Sequence, residues 1–125
     1  MKPERKLYAK IKKSIPQISW IRLENNSLLG TPDLLGYNDS GTFFTVELKV
    51  TKGNKVRLSP HQISFHVKHP KNSFILVQAL GPRASNRFHL YRGACIMNLV
   101  PAGLELDAWC LGLDAIRDFL YQLGA

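Results

Sequence analysis

The sequence predicts a small α/β domain in which helices flank a mixed central β-sheet. Three observations carry that expectation. Apolar residues recur at helical spacing over residues 3–15 and again over Leu113–Leu123. Between those segments, short runs either alternate at the strand period or are apolar throughout, with turn formers separating them. The order that results is a helix, three strands, a helix, two strands and a last helix, which lets a core form on both faces of the sheet. At 125 residues the chain has room for one compact domain and not for two. Hydrophobic residues make up 45% and charged residues 21%, so wholesale disorder is not expected.

Each element has its own justification. Over residues 3–15, Leu7, Ile11 and Ile15 return every four residues with Tyr8 beside them, ringed by Arg5, Lys6, Lys10, Lys12 and Lys13. Pro16 stops that helix. Ile18–Glu24 reads as a strand, and Asn25–Thr31 as a polar connection. Two extended runs follow, Pro32–Tyr37 and Thr42–Val50. They are separated by Asn38-Asp39-Ser40-Gly41, four turn formers that predict a hairpin. In the second run Phe44, Val46, Leu48 and Val50 share one face; Phe43, Thr45, Glu47 and Lys49 share the other.

Thr51–Leu58 is a loop with a Gly53-Asn54 turn. Ser59 as N-cap, Pro60 at the first helical position and Gln62 closing a capping box then start a helix. It should run to about His69 and end before Pro70. Ser73–Ala79, with Phe74-Ile75-Leu76-Val77 inside it, predicts a buried strand; Gly81–Arg87 is a loop and Phe88–Tyr91 a further strand. Residues 93–112 give no single reading. In the last helix Leu113, Ile116, Leu120 and Leu123 line the core side. Its apolar end fits packing on its own sheet or a homodimer interface about a two-fold axis, and both stay open.

Charge narrows the class of partner. Lys and Arg number 17 against 9 Asp and Glu, for a formal net charge of +8. Such an excess favours nucleic acid first and an acidic membrane surface second. Residues 1–100 hold 16 basic and 5 acidic side chains, whereas residues 101–125 hold Arg117 against four acids. The end of the chain is therefore expected to face away from a polyanion. No run approaches the ~18 uncharged apolar residues of a membrane span, so no membrane role is expected. The basic start of the chain lacks the apolar segment of a secretory signal. Cys95 and Cys110 make no disulfide framework, and a reduced, intracellular setting is the expectation.

The residues with chemistry in them lie on the hairpin. If it folds symmetrically about Ser40, Tyr37 pairs with Phe43, Leu35 with Thr45, and Asp33 with Glu47. Directly opposed side chains have Cβ atoms about 5 Å apart. Lys49, two residues past Glu47, shares their face. Like charges facing each other across a sheet are unfavourable, but a divalent cation between them reverses the sign. Hard oxygen ligands with room for water suit Mg²⁺ or Mn²⁺, which can polarise a phosphodiester and acidify water. A surface ion cluster of Asp33, Glu47 and Lys49 is the alternative that spacing alone leaves open.

Gly30-Thr31-Pro32-Asp33-Leu34-Leu35, Val46-Glu47-Leu48-Lys49 and Arg57-Leu58-Ser59-Pro60-His61-Gln62 together resemble the PD-(D/E)xK nuclease superfamily. The nearest likeness is to short, stand-alone phage-type VRR-NUC nucleases, which are similar to Holliday-junction resolvases in core fold. The resemblance spans about residues 18–92. It implies a restriction-endonuclease-like core and a Mg²⁺- or Mn²⁺-dependent endonuclease acting on DNA. By analogy with resolvases the DNA is branched or otherwise structured. It further implies that Asp33 and Glu47 bind the metal with the Leu48 backbone carbonyl, that Lys49 is the catalytic lysine, and that Gln62 supports the site. A prokaryotic or phage-infected host cytoplasm is the implied setting. Many relatives carry one more acid on the first helix. Only Glu4 is available there, where an acid also suits the helix dipole, and Glu24 is a second candidate.

Other residues have plainer readings beside functional ones. Gln62 could serve the capping box and nothing else. Lys52, Lys55 and Arg57 follow the strand bearing Glu47, where phosphate contacts would position DNA without reading its sequence. Lys10 and Lys13 offer the same from the first helix, where a merely solvated helix face is the alternative reading. Lys68, Lys71, Arg83 and Arg87 are weaker members of that set. His66 and His69 have no further ligand at a usual zinc spacing. Trp20, Trp109, Cys95 and Cys110 read as core. Two rival functions compete with the nuclease: a non-catalytic basic nucleic-acid-binding accessory protein, and an interaction protein whose charge serves solubility alone.

Overall fold

The computed structural model describes residues 2–23, 29–81 and 87–125. Within them the chain forms α1 (Pro3–Ser14), β1 (Ser19–Arg22), β2 (Leu34–Tyr37), β3 (Phe43–Thr51), α2 (Pro60–Lys68), β4 (Ser73–Ala79) and β5 (Arg87–Arg92). Then come α3 (Ile96–Ala102), β6 (Cys110–Leu111) and α4 (Leu113–Gln122), with a short 3-10 turn on each side of α3. The six strands make one sheet whose spatial order is the chain order. Neighbours run antiparallel except β3 and β4, which are parallel. A parallel pair cannot be joined by a tight turn, and α2 provides the crossover.

Both faces of the sheet are covered. Leu7, Ile11 and Ile15 from α1 and its C-cap, with Ile116 and Leu120 from α4, pack on Phe44, Val46, Leu48, Phe74, Leu76 and Leu90. On the opposite face Ile75, Val77 and Tyr91 meet Ile96 and Leu99 of α3, with Ile63 of α2 at the margin. β4 is buried on both sides, which is why it reads as an unbroken apolar run. β3 alternates: Phe44, Val46 and Leu48 face the α1 and α4 side, and Glu47 and Lys49 face the α2 side.

The hairpin has the expected register, with Tyr37 opposite Phe43 and Leu35 opposite Thr45. Its turn is tied to the far end of the chain by Asn38, which is only 2% exposed. The Asn38 Nδ2 donates to the Leu120 and Leu123 carbonyls, both at 2.8 Å, and its Oδ1 accepts from the Thr42 amide at 3.1 Å. Those carbonyls are among the ones a helix end leaves without partners. One side chain thus closes the turn and caps α4.

Several expectations shift. The strand expected over Ile18–Glu24 is the shorter β1, and Glu24 and part of the Asn25–Thr31 connection lie outside the described residues. So does Arg83, with most of the Gly81–Arg87 loop. Residues 93–112 hold α3 and β6; Pro101 inside α3 and a strand of two residues hide both from periodicity. α4 packs on its own sheet, with the Phe119 ring edge-on to Phe74 at 5.5 Å and to Trp109 at 6.0 Å. Trp20 is half-buried and donates from Nε1 to the Ile15 carbonyl at 3.0 Å. Trp109 is half-exposed under Arg92, and both cysteines are half-buried rather than core. Among the described residues no helix is long and apolar enough to cross a membrane.

Removing the Asn38 amide takes a donor from the buried Leu120 carbonyl and from the partly buried Leu123 carbonyl. Asn38→Ala should lower stability by about 2 kcal/mol in a urea titration, with an unchanged m-value. A loss below about 0.5 kcal/mol would mean the clamp is energetically idle.

Candidate active site

Glu47 and Lys49 occupy alternate positions on the α2 face of β3. Asp33 precedes β2 by one residue, opposite Glu47 in the register that Leu34 and Val46 define. The ladder itself ends at Leu34. The Asp33 Oδ2 instead accepts from the Leu48 amide at 2.8 Å, while the Asp33 carbonyl accepts from the Leu23 amide at 2.8 Å. Asp33 is therefore held by backbone on both sides, with its side chain bonded to β3 and its carbonyl to the residue after β1.

Glu47 is 2% exposed. Its Oε2 accepts from the Gln62 Nε2 at 3.2 Å. Its Oε1 is buried and has no hydrogen-bond partner. Burial first, and then the hydrogen-bonding and charge of the adjacent Asp33 carboxyl, push the Glu47 carboxyl from 4.5 up to about 9, against the opposing pull of Lys49. Glu4 adds a smaller push in the same direction.

Gln62 joins the two halves of the site. Its Oε1 accepts from the Lys49 Nζ at 3.0 Å and from the Ser59 amide at 2.9 Å, and its own amide donates to the Ser59 Oγ at 3.2 Å. The complete capping box at the start of α2 is thereby bonded to both charged side chains of β3. The capping role and the supporting contacts, alternatives on paper, are made by one amide.

These groups line a cleft of about 540 Å³ together with Leu48, Lys2, Glu4, Arg5 and Arg22. A second hollow of about 510 Å³ shares Glu4 and Lys49 with it and runs past Lys52, Lys55 and Arg57. The basic loop is well anchored. The Thr51 Oγ1 donates to the Gly53 and Lys55 carbonyls, the Asn54 carbonyl accepts from the Leu104 amide at 2.8 Å, and Val56 is buried.

The structure thus brings together Asp33, Glu47, Leu48, Lys49 and Gln62, with Lys52, Lys55 and Arg57 next to them and Glu4 at the shared rim. Lys10 and Lys13 are not brought in. Lys10 stands 5.6 Å above the Phe88 ring and lines a separate hollow with Lys6, Val50 and Gln78. Lys13 is exposed, nine residues or about 13 Å further along the helix axis than Glu4. The cleft takes its α1 cations from Lys2 and Arg5 instead. Periodicity says which stripe of a helix is apolar and not which end overlies a site, so Lys2, Arg5 and Arg22 carried no signal as cleft residues. His66 is buried against Ser73, 3.2 Å from its Oγ, and burial lowers it to about 4. Among the described residues no group of three or more His, Cys, Asp and Glu side chains could hold a metal ion.

A six-stranded mixed sheet between helices, with acids at the end of the central hairpin, is a restriction-endonuclease-like fold. Among solved structures it is similar to Hjc, a Holliday junction resolvase from the archaeal hyperthermophile Archaeoglobus fulgidus. The TM-score is 0.51 at 20% sequence identity, over 73% of this chain and 70% of that one. At that identity the likeness is one of fold. No protein-family model matches the sequence, and no curated protein sequence does.

Glu47 makes a stability prediction with a definite sign. Its folded pKa lies above its unfolded one, so the fold holds a proton that the unfolded chain releases. That contribution is full below about 4.5 and is lost as pH climbs to about 9. In metal-free buffer the Tm should fall across this window, and Glu47→Gln, neutral at every pH, should remove most of the decline. Parallel pH profiles for the two proteins would contradict the buried carboxyl.

Proposed function

We propose that the protein is a divalent-metal-dependent endonuclease that hydrolyses DNA phosphodiester bonds, in the PD-(D/E)xK superfamily. The observation that carries this reading is the pair of adjacent carboxyls, one of them buried with an oxygen that meets no donor group other than a proton shared with its neighbour. An interior that only needed to be stable would not keep such a pair. A cation between Asp33 and Glu47 supplies the missing partner, so the residues fit one. Two carboxylates and a carbonyl, with the remaining positions left to water or phosphate, suit Mg²⁺ or Mn²⁺.

Asp33, Glu47 and the Leu48 carbonyl would hold the ion. When bound, it polarises the scissile phosphodiester and acidifies water. Lys49, steered by Gln62, orients the attacking water or offsets charge that develops on the phosphoryl oxygens. Gln62 keeps Glu47 and Lys49 at fixed separation. Lys52, Lys55 and Arg57 hold the backbone on one side of the cleft, and Lys2, Arg5 and Arg22 on the other. Glu4 at the rim is the first-helix acid of this scheme.

The fold shared with Hjc supports branched or structured DNA as the substrate. Kinship with phage-type VRR-NUC enzymes and a prokaryotic or phage-infected host cytoplasm belong to the same proposal. So does a homodimer, since a branched substrate has two strands to cut.

Plasmid and four-way-junction DNA incubated with Mg²⁺ or Mn²⁺ test the reading. The wild-type protein should cut; Glu47→Gln should lose at least ~1000-fold and Lys49→Ala ~100-fold or more. Both variants should still shift the same DNA in a gel. Equal cleavage by wild type and Glu47→Gln would overturn the assignment. Replacing Lys52, Lys55 and Arg57 together by Ala should reduce the log–log salt slope of binding by about three.

A further inference from the structure

Gly30 lies at the end of the connection that leads to Asp33, and it is pressed against the first turn of α2. Its φ is 84°. A β-carbon on it would stand 2.4 Å from the His61 carbonyl oxygen and 2.6 Å from the carbonyl carbon. Both are helix backbone atoms and cannot rotate aside. Among the other glycines of positive φ, Gly103 is pressed on the Asn54 carbonyl, away from the acids, whereas Gly112, with φ 93°, has nothing within 4 Å of the same position.

The neighbours of this contact give it meaning. Asp33 is three residues beyond Gly30, and Gln62 is the residue after His61. The capping box fixes Gln62 relative to its own helix. It says nothing about how far that helix stands from Asp33. The hydrogen bonds of Gln62 to Lys49 and Glu47 then tie the helix to β3. Asp33 is bonded to the same strand through the Leu48 amide, and the direct approach of Gly30 to His61 is a second constraint on the spacing between the Asp33 loop and α2.

Resting on the nuclease reading of the cleft, we propose that Gly30 is a positioning residue of the site. Its bare backbone sets the separation of Asp33 from Gln62, and through Gln62 the placement of Glu47 and Lys49. A methyl group at this position must move the loop and α2 apart by roughly 1 Å, and a misplacement of that size costs ~100-fold in rate. Gly112→Ala carries a comparable φ penalty, at the N-cap of α4 and without the crowding.

The test compares full-length wild type, Gly30→Ala and Gly112→Ala. Mn²⁺ affinity is read by calorimetry and single-turnover cleavage of a four-way junction at saturating Mn²⁺. Gly30→Ala should bind Mn²⁺ several-fold more weakly and cut ~100-fold more slowly. Gly112→Ala should stay within about twofold of wild type in both. If Gly30→Ala melts below the assay temperature, an osmolyte added to all three samples restores the folded state for the same comparison. Matching behaviour of the two variants overturns the proposal. A wild-type protein that binds Mn²⁺ without cutting DNA overturns the nuclease reading instead, and the Mn²⁺ affinities still judge Gly30. A wild type that does neither overturns both.

Discussion

Two carboxyl groups kept side by side, one of them buried, are the constraint around which this chain is organised. The hairpin about Ser40 brings Asp33 opposite Glu47, where two ionised carboxylates on one sheet face would oppose folding, and the raised Glu47 pKa reflects that cost together with burial. The surroundings offset this only in part. The Leu48 amide serves Asp33, Gln62 serves one oxygen of Glu47, and Lys49 pulls against the rise in the Glu47 pKa. One oxygen of Glu47 is still left without a partner. Strain of this kind, concentrated in a cleft and surrounded by well-packed elements, is the feature on which the proposed site rests.

The second organising fact is that the site and the secondary structure share their bonds. Ser59 and Gln62 would start α2 in any protein. Here the same Gln62 oxygen also accepts from Lys49. The crossover helix, required because β3 and β4 are parallel, therefore arrives with its first turn already bonded to the strand it left. The basic loop between them is shaped in the same way, by Thr51 and Asn54 bonds to backbone rather than by a partner.

Much of this was legible before any coordinates. Turn formers at residues 38–41 located the hairpin and its register, and the Ser59-Pro60-His61-Gln62 run located α2 to within a residue. The unbroken apolar run of β4 followed from burial on both faces. What stayed hidden depends on contacts distant in sequence. Nothing local says that Asn38 reaches the carbonyls at the end of α4, or that the first turn of α1 overhangs the acids. Asp33 leaves the ladder because the Leu48 amide is available to it, a choice that strand periodicity cannot register. Pro101 within α3 masks that helix, since proline ordinarily marks an end.

The sheet whose spatial order follows the chain has a consequence for biosynthesis. The hairpin closes over a five-residue connection, on a microsecond timescale, whereas a ribosome adds about 5–20 residues each second. Asp33 and Glu47 thus emerge and can meet before Gln62 leaves the ribosome to receive either Glu47 or Lys49. In the nascent chain their mutual repulsion is relieved by solvent, protons or dissolved cations alone, and the crossover helix, once translated, locks a contact that began without it.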